Sequence, residues 1–160
     1  MYDKDKIDLI VKQVVENVKN ANSGNISLSL ALALTEKVKQ KAREMGVKAV
    51  IAVADAGANT ISLQSMDGAY IASADIAINK AFTVVSLKMP TKNLASLAAP
   101  GGSLYGIQFT NGGKIVIFGG GVPLYSKDGQ IIGGIGISGG TAEQDTALGD
   151  YAAEIFKTLI

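Results

Sequence analysis

The chain has 160 residues, of which 48% are hydrophobic and 18% are charged, and its formal net charge is +1. This length and composition predict one globular domain over residues 1–160, and the near-neutral charge disfavours a general nucleic-acid binder, which needs a basic face. The sequence contains no cysteine and no histidine, which excludes disulfides, a Ser-His-Asp triad, and metal or haem sites with His or Cys ligands from this chain.

The first ten residues, MYDKDKIDLI, lack the apolar core of a secretory signal, and no apolar run approaches 18 residues. We therefore expect no membrane span and a cytoplasmic location. The low charge content also predicts that part of the surface is buried between subunits, because a soluble monomer rarely leaves large apolar patches bare.

Two helices are predicted at the start of the chain. Residues 3–18 carry apolar side chains at helical spacing, and the segment NANSGN at 20–25 breaks the pattern. A second helix is predicted over Leu28–Met45, capped by Ser27 and stopped by Gly46. Its first half alternates like a strand, but leucine and alanine favour the helix.

A β-hairpin follows. Val47–Ala54 is mostly apolar and rich in β-branched residues, which predicts a buried central strand. The segment DAGAN at 55–59 has turn chemistry, Thr60–Met66 is the returning strand, and Asp67-Gly68 ends it.

Tyr70–Lys88 predicts a third helix that Pro90 ends, and Thr91 is predicted to cap a short helical turn that reaches Leu97. The irregular segment at 98–113 is long for a compact domain, and such segments are often functional.

Three strands and a helix complete the chain. The strands are predicted at Lys114–Phe118, Val122–Tyr125 and Gln130–Ser138, and the helix at Thr141–Leu159, where Thr141 and Gln144 form a capping box. Hairpins rather than βαβ units indicate a mostly antiparallel sheet covered by helices, an α+β domain.

Glycines at 133, 134 and 136 leave part of the last strand without side chains, so a helix, a ligand or another subunit must pack on its backbone. The following helix start is a possible anion site. We favour close packing, because glycines near a helix start are weak evidence for a ligand.

Lys80 lies within the apolar segment INKAFTVV, so its ammonium either reaches solvent or meets an anion, which could be a ligand carboxylate or Asp67. Thr83 can line the same face. Glycine loops at 100–103 and 119–121 expose backbone N–H groups that can bind anions, but neither matches a nucleotide-binding fingerprint. For Asp55 and Asp67 we favour a turn-holding role.

Two longer segments, VADAGANTISLQSMDGAYIASADIAINKAFT and GGGVPLYSKDGQIIGGIGISGGTAEQD, resemble the GlcG/HbpS family, which includes the C-terminal domain of PduO-type proteins. The matching elements include the D-A-G turn after the first strand, the M-D-G-A after the second, a helix motif, and the pattern D-G-x-x-I-G-x-I-G-x-S-G-G with a trailing Asp145. Their order agrees over residues 27–158. The helix motif comprises Ser73, Ala77, Lys80, Ala81 and Thr83.

The resemblance implies a profilin-like α/β/α sandwich with a five-stranded antiparallel sheet, and self-assembly, often into octamers built of dimers. It also implies binding of haem or a corrinoid such as cobalamin, with roles in glycolate, propanediol or glycerol utilisation. Some haem-binding members use a histidine on an N-terminal helix, which this chain lacks. Either haem binds with Tyr, Met or Lys as the iron ligand, or it binds weakly, or this protein binds another ligand or none.

The sequence therefore predicts a homo-oligomeric protein that binds a small anionic ligand, with a tetrapyrrole as the leading candidate and no protein-bound metal. Lys80 would neutralise a carboxylate of the ligand. One alternative is an enzyme for a small organic acid or aldehyde, with Asp67 or Asp145 as general base; another is a structural accessory to a cobalamin-dependent dehydratase. The predicted hydrogen-bonding residues are Thr83, Thr91, Gly101, Gly102, Gly119, Gly120 and Gly121.

Overall fold

The computed structural model describes residues 24–160, so the helix predicted over residues 3–18 lies outside the described residues. The described part contains one antiparallel sheet with helices on both faces, which confirms the α+β class. In chain order the elements are α1 (Leu28–Glu44), β1 (Val50–Asp55), β2 (Thr60–Ser65), α2 (Ala72–Leu87), α3 (Leu94–Leu97), β3 (Gly121–Tyr125), β4 (Ile131–Ser138) and α4 (Ala142–Leu159), with short 3-10 turns at Thr91–Asn93, Ile107–Phe109 and Asn111–Gly113.

The sheet has the strand order β2-β1-β4-β3, so β1 and β4 lie at its centre. They pair antiparallel, with Val50 opposite Ser138 and Ile51 opposite Ile137. The predicted hairpin of β1 and β2 is confirmed. Asp55 holds its turn as expected, because its Oδ1 accepts the N–H groups of Gly57 and Asn59, each at 2.9 Å.

The expected fifth strand is wrong within residues 24–160, where the sheet has four strands and Lys114–Phe118 is not one of them. The hydroxyl of Thr83 on α2 accepts the N–H of Val116 at 3.0 Å and lies 3.2 Å from the carbonyl oxygen of Lys114. This backbone is therefore bonded to a helix side chain rather than to a neighbouring strand. Ile115 and Val116 are buried all the same, whereas Phe118 is exposed, so the apolar run resembles a strand without forming one.

The two faces of the sheet carry different side chains because successive residues of a strand point to opposite sides. On one face Ile51 and Val53 pack in the core with α1 and α4. On the other face Val50, Ala52 and Ala54 meet α2, whose facing residues include two buried alanines. Small side chains on this second face let α2 lie close to the sheet.

The glycines of β4 make that approach closer still. A Cβ atom on Gly136 would clash with the carbonyl oxygen of Ala77, and one on Gly134 would lie 2.5 Å from a methyl of Val84. Helix α2 therefore lies directly on the backbone of β4, which confirms the close-packing interpretation of these glycines. This contact brings Lys80 to the end of β4.

The helix boundaries follow local signals with one exception. Ser27 caps α1 by accepting the N–H of Leu30 at 3.2 Å, and both bonds of the capping box at Thr141 are present. The prediction that Thr91 caps a short helix is wrong, because its hydroxyl accepts the N–H of Gly121 at 2.9 Å instead. None of the helices within residues 24–160 has the length and apolarity needed to cross a bilayer.

Candidate functional site

A buried ion pair joins α2 to the first turn of α4. The Nζ atom of Lys80, which is fully buried, donates to Oδ2 of Asp145 at 2.9 Å and to the carbonyl oxygen of Ile137 at 2.7 Å. The other oxygen of Asp145 accepts the N–H of Gly140 at 2.9 Å. The partner of Lys80 is thus Asp145 and not Asp67, which lies exposed after β2.

Burial lowers the pKa of Lys80 below its usual value of 10.5, because desolvation penalises the ammonium form. The carboxylate of Asp145 acts in the opposite direction and favours that charged form. The ammonium also lies 4.9 Å from the ring centroid of Phe118, a cation–π distance. Lys80 is therefore held by three groups on three segments of the chain.

Gly120 allows the backbone to pass over this pair. Its φ of +112° favours glycine, and a Cβ atom there would lie 2.7 Å from Nζ of Lys80 and 2.9 Å from Cβ of Asp145. On the outer side Gly149 of α4 lies against the backbone of Gly120. The glycine run at 119–121 thus supplies close packing around Lys80.

Most of the predicted site residues lie together, either within the segment at 114–121 or directly beneath it. Thr83 and Thr91 are fully buried, and Thr91 contacts Gly121. Gly119 and Gly120 are also buried.

Gly101 and Gly102 belong to a separate turn. Gly101 is exposed, and the N–H of Gly102 donates to the carbonyl oxygen of Ala99 at 2.8 Å. The structure thus assembles the residues around Lys80 and leaves this turn apart from them.

The carboxylates considered as a general base are engaged or exposed. Asp145 accepts a hydrogen bond on each oxygen, from Lys80 on one and from the N–H of Gly140 on the other, whereas Asp67 is exposed. Among residues 24–160, no group of three His, Cys, Asp or Glu side chains could hold a metal ion.

A cavity of about 340 Å³, here called the serine cavity, lies between the starts of α2 and α4 and the end of β4. The hydroxyls of Ser73 and Ser138, 3.1 Å apart, form its buried floor. Its lining includes Tyr70, Ser73, Ile76, Phe118, Ser138, Ala142 and Asp145.

A second concavity of about 410 Å³, here called the Phe118 groove, is more open and lies between α3 and α4. Its rim carries the exposed ion pair of Lys92 with Asp150, whose Nζ and Oδ1 atoms are 2.7 Å apart. It is lined by one cation, two carboxylates and mostly small side chains, which are Lys92, Ala95, Phe118, Gly119, Ala142, Glu143, Thr146, Ala147 and Asp150.

Sequence reasoning missed Phe118, Ser138 and Lys92 as possible contacts. A buried cation requires an anion, and Asp145 in the first turn of a capped helix was the available signal for the ion pair. Phe118 had no such signal, because its exposure depends on the loop conformation that Gly119–Gly121 allow.

The model of the family described as "haem degrading protein HbpS-like" matches residues 26–154. An uncharacterized 15.0 kDa protein of the dhaT-dhaS intergenic region of Citrobacter freundii is 43% identical over 88% of this chain and 99% of its own length. The corrinoid adenosyltransferase PduO of the same organism is 39% identical over 80% of this chain, which spans only 38% of PduO.

Two solved structures have similar folds. The Klebsiella pneumoniae protein ORFY has a TM-score of 0.81 and 44% identity, over 84% of this chain and 92% of ORFY. A PduOC–haem complex has a TM-score of 0.76 and 35% identity, over 81% of this chain and 94% of that one.

Proposed function

This chain belongs to the HbpS-like family of haem-degrading proteins, and from that membership we propose that it is an accessory protein that binds a tetrapyrrole, with haem as the first candidate. The observation that carries the proposal is the similarity over 81% of this chain to a protein whose crystal structure is a haem complex. The relationship to PduO makes a corrinoid the second candidate ligand. We also propose the association with glycolate, propanediol or glycerol utilisation that the family resemblance implies.

We place the macrocycle in the Phe118 groove. A tetrapyrrole is a flat and mostly apolar ring with acidic side chains, so it needs an open apolar wall with a cation at the rim. The groove offers the Phe118 ring and the small side chains of Ala95 and Ala147, with Lys92 beside them. The pair of Lys92 with Asp150 is about half exposed, and such pairs contribute little, so a ligand carboxylate can replace Asp150 at small cost.

The groove can contact the macrocycle, but its lining offers no typical ligand for the iron. The chain has no histidine or cysteine, and the residues that line the groove offer no thioether or phenol. Bound haem would supply a redox-active iron, and the residues of this chain would hold the ring by apolar contact and charge. We therefore expect iron-free protoporphyrin IX to bind within a few-fold of the affinity of hemin.

The predicted site residues contribute in two ways in this proposal. Gly119 lines the groove, whereas Lys80, Thr83, Thr91, Gly120 and Gly121 hold the segment that carries Phe118 and Gly119. Lys80 would reach a ligand carboxylate only by leaving Asp145. A hydrogen-bonding role for Gly101 and Gly102 would require the ligand to extend to their turn.

The test is a visible-absorbance titration with hemin, protoporphyrin IX and cobalamin, comparing Ala147→Glu with the wild type. The new carboxylate in the apolar wall should weaken hemin binding about tenfold or more, which corresponds to about 1.4 kcal/mol. Ala33→Glu, at an exposed alanine of α1, is the matched control and should bind as the wild type does. No saturable binding of any tetrapyrrole would refute the proposal, and equal weakening in both variants would remove the ligand from this groove.

A further inference from the structure

We propose that the serine cavity is a second binding site, for a small neutral molecule that carries a hydroxyl or carbonyl oxygen on a short apolar body. This site differs in chemistry from the proposed tetrapyrrole groove, with which it shares Phe118 and Ala142, and the inference does not rest on the proposed function. Three features of the cavity carry the inference: its hydroxyl floor, the charge balance of its wall, and its apolar sides.

The two serine hydroxyls of the floor carry two protons, and the hydrogen bond between them uses only one. Ser73 and Ser138 are 3% and 4% exposed, and their Oγ atoms are 3.1 Å apart. Within residues 24–160 neither hydroxyl has another hydrogen bond to the protein. Each serine carries one O–H, so one proton lies between the two oxygens and the other is free to donate. A buried donor without an acceptor is costly, and a ligand oxygen can supply that acceptor.

The charges of the wall favour a neutral ligand over an anion. Asp145 lines the cavity, whereas its counter-ion Lys80 lies behind it and is fully buried. None of the lining residues that the structure describes is a lysine or an arginine. A bound carboxylate would meet the repulsion of Asp145 as well as the attraction of the N–H groups at the starts of α2 and α4, whereas an uncharged oxygen can accept the free serine proton without that repulsion.

The sides of the cavity suit a short apolar body. Tyr70, Ile76 and Phe118 present apolar surface above the two serines. A volume of about 340 Å³ lies at the lower end of the range for small-molecule sites, so it admits a small organic molecule.

The test uses 1-propanol, acetone and propionate as probes of similar size, titrated into the haem-free protein and followed by the backbone amide signals in two-dimensional NMR. 1-Propanol and acetone should give saturable shifts at Ser73, Ser138 and Ala142, with dissociation constants of about a millimolar. Propionate should bind about tenfold more weakly or not at all, because of Asp145.

Two variants and one control locate the binding. Ser73→Ala removes one floor hydroxyl and should weaken 1-propanol binding about fivefold or more. Ala142→Leu fills the cavity from its exposed rim and should abolish saturation. Ser86→Ala changes an exposed serine of the same helix and should bind as the wild type does.

Several results would overturn the inference. These are propionate binding as tightly as 1-propanol, unchanged binding in both Ser73→Ala and Ala142→Leu, or no saturable shift with any probe. No tetrapyrrole enters this experiment, so its failure leaves the hemin titration unaffected, and the reverse also holds.

Discussion

Lys80 is a charged residue in a fully buried position, and its partners explain how the fold tolerates it. Desolvating an ammonium costs several kcal/mol, and the attraction of a close carboxylate offsets that cost only with good geometry and further hydrogen bonds. Asp145 and the carbonyl oxygen of Ile137 provide that geometry. The ion pair therefore fixes the relative position of α2 and α4 and contributes little to the net free energy of folding.

We predict that Lys80→Met lowers the free energy of unfolding by about 3–5 kcal/mol, because it leaves Asp145 buried without a cation. Asp145→Leu should also destabilise, but less at alkaline than at neutral pH. The pKa of Lys80 is lowered by burial, so the folded variant gives up that proton more readily than the unfolded chain, and its stability recovers as the pH rises toward 10.5. Urea denaturation measures each variant.

The double variant Lys80→Met/Asp145→Leu should be more stable than the sum of the two single losses implies. Strictly additive losses would show that the two side chains do not interact. Lys157→Met is the control, because its pair with Glu154 is exposed and such pairs contribute about 0–1 kcal/mol.

The elements of the fold were predictable where their signals are local. Ser27 with Gly46 bounded α1, Asp55 held its turn, and the capping box fixed the start of α4. Each of these signals lies within a few residues of the element it defines, so a single sequence was enough.

The strand predicted at Lys114–Phe118 and the cap predicted at Thr91 failed for the opposite reason. The hydroxyl of Thr83 binds Val116, 33 positions away, and that of Thr91 binds Gly121, 30 positions away. Asp145 is 65 positions from Lys80. The sequence motifs correctly singled out residues near Lys80, such as Thr83 and Thr91. The serine cavity and the Phe118 groove could not be predicted, because they form where segments distant in sequence meet, and the spacing of apolar residues does not encode such contacts.

At the scale of the element, we predict that Gly136→Ala destabilises the protein by about 1–3 kcal/mol or more, as overpacking does. Its Cβ atom would clash with the carbonyl oxygen of Ala77 and lie 2.6 Å from the backbone nitrogen of Ala81, so α2 would have to move away from β4. Thermal or urea unfolding measures the loss.

Gly24→Ala is the matched control, since no atom of residues 24–160 lies within 4 Å of a Cβ built there. It should change stability by no more than about 0.5 kcal/mol. Equal effects of the two substitutions would contradict the close approach of α2 to β4.

The surface of the whole molecule carries large apolar side chains that water would not favour. Ile71 is 97% exposed and Phe109 is 82% exposed. Such residues on the described surface support the proposal that copies of this chain associate.

We predict that light scattering behind size-exclusion chromatography shows an oligomer at micromolar concentration. Ile71→Asp should shift the population toward smaller species, because a carboxylate in an apolar interface is costly to desolvate. Ser103→Asp, at an exposed polar position, should leave the assembly unchanged. A monomeric wild type would contradict the proposal.

Phe118 belongs to both concavities, and its ring also faces the Lys80 ammonium. A molecule that moves this ring in order to bind on one side changes the shape offered to a molecule on the other side. The two occupancies are then thermodynamically linked: the factor by which the first changes the affinity of the second equals the factor by which the second changes that of the first. If both proposed ligands bind, this one aromatic side chain would couple their affinities.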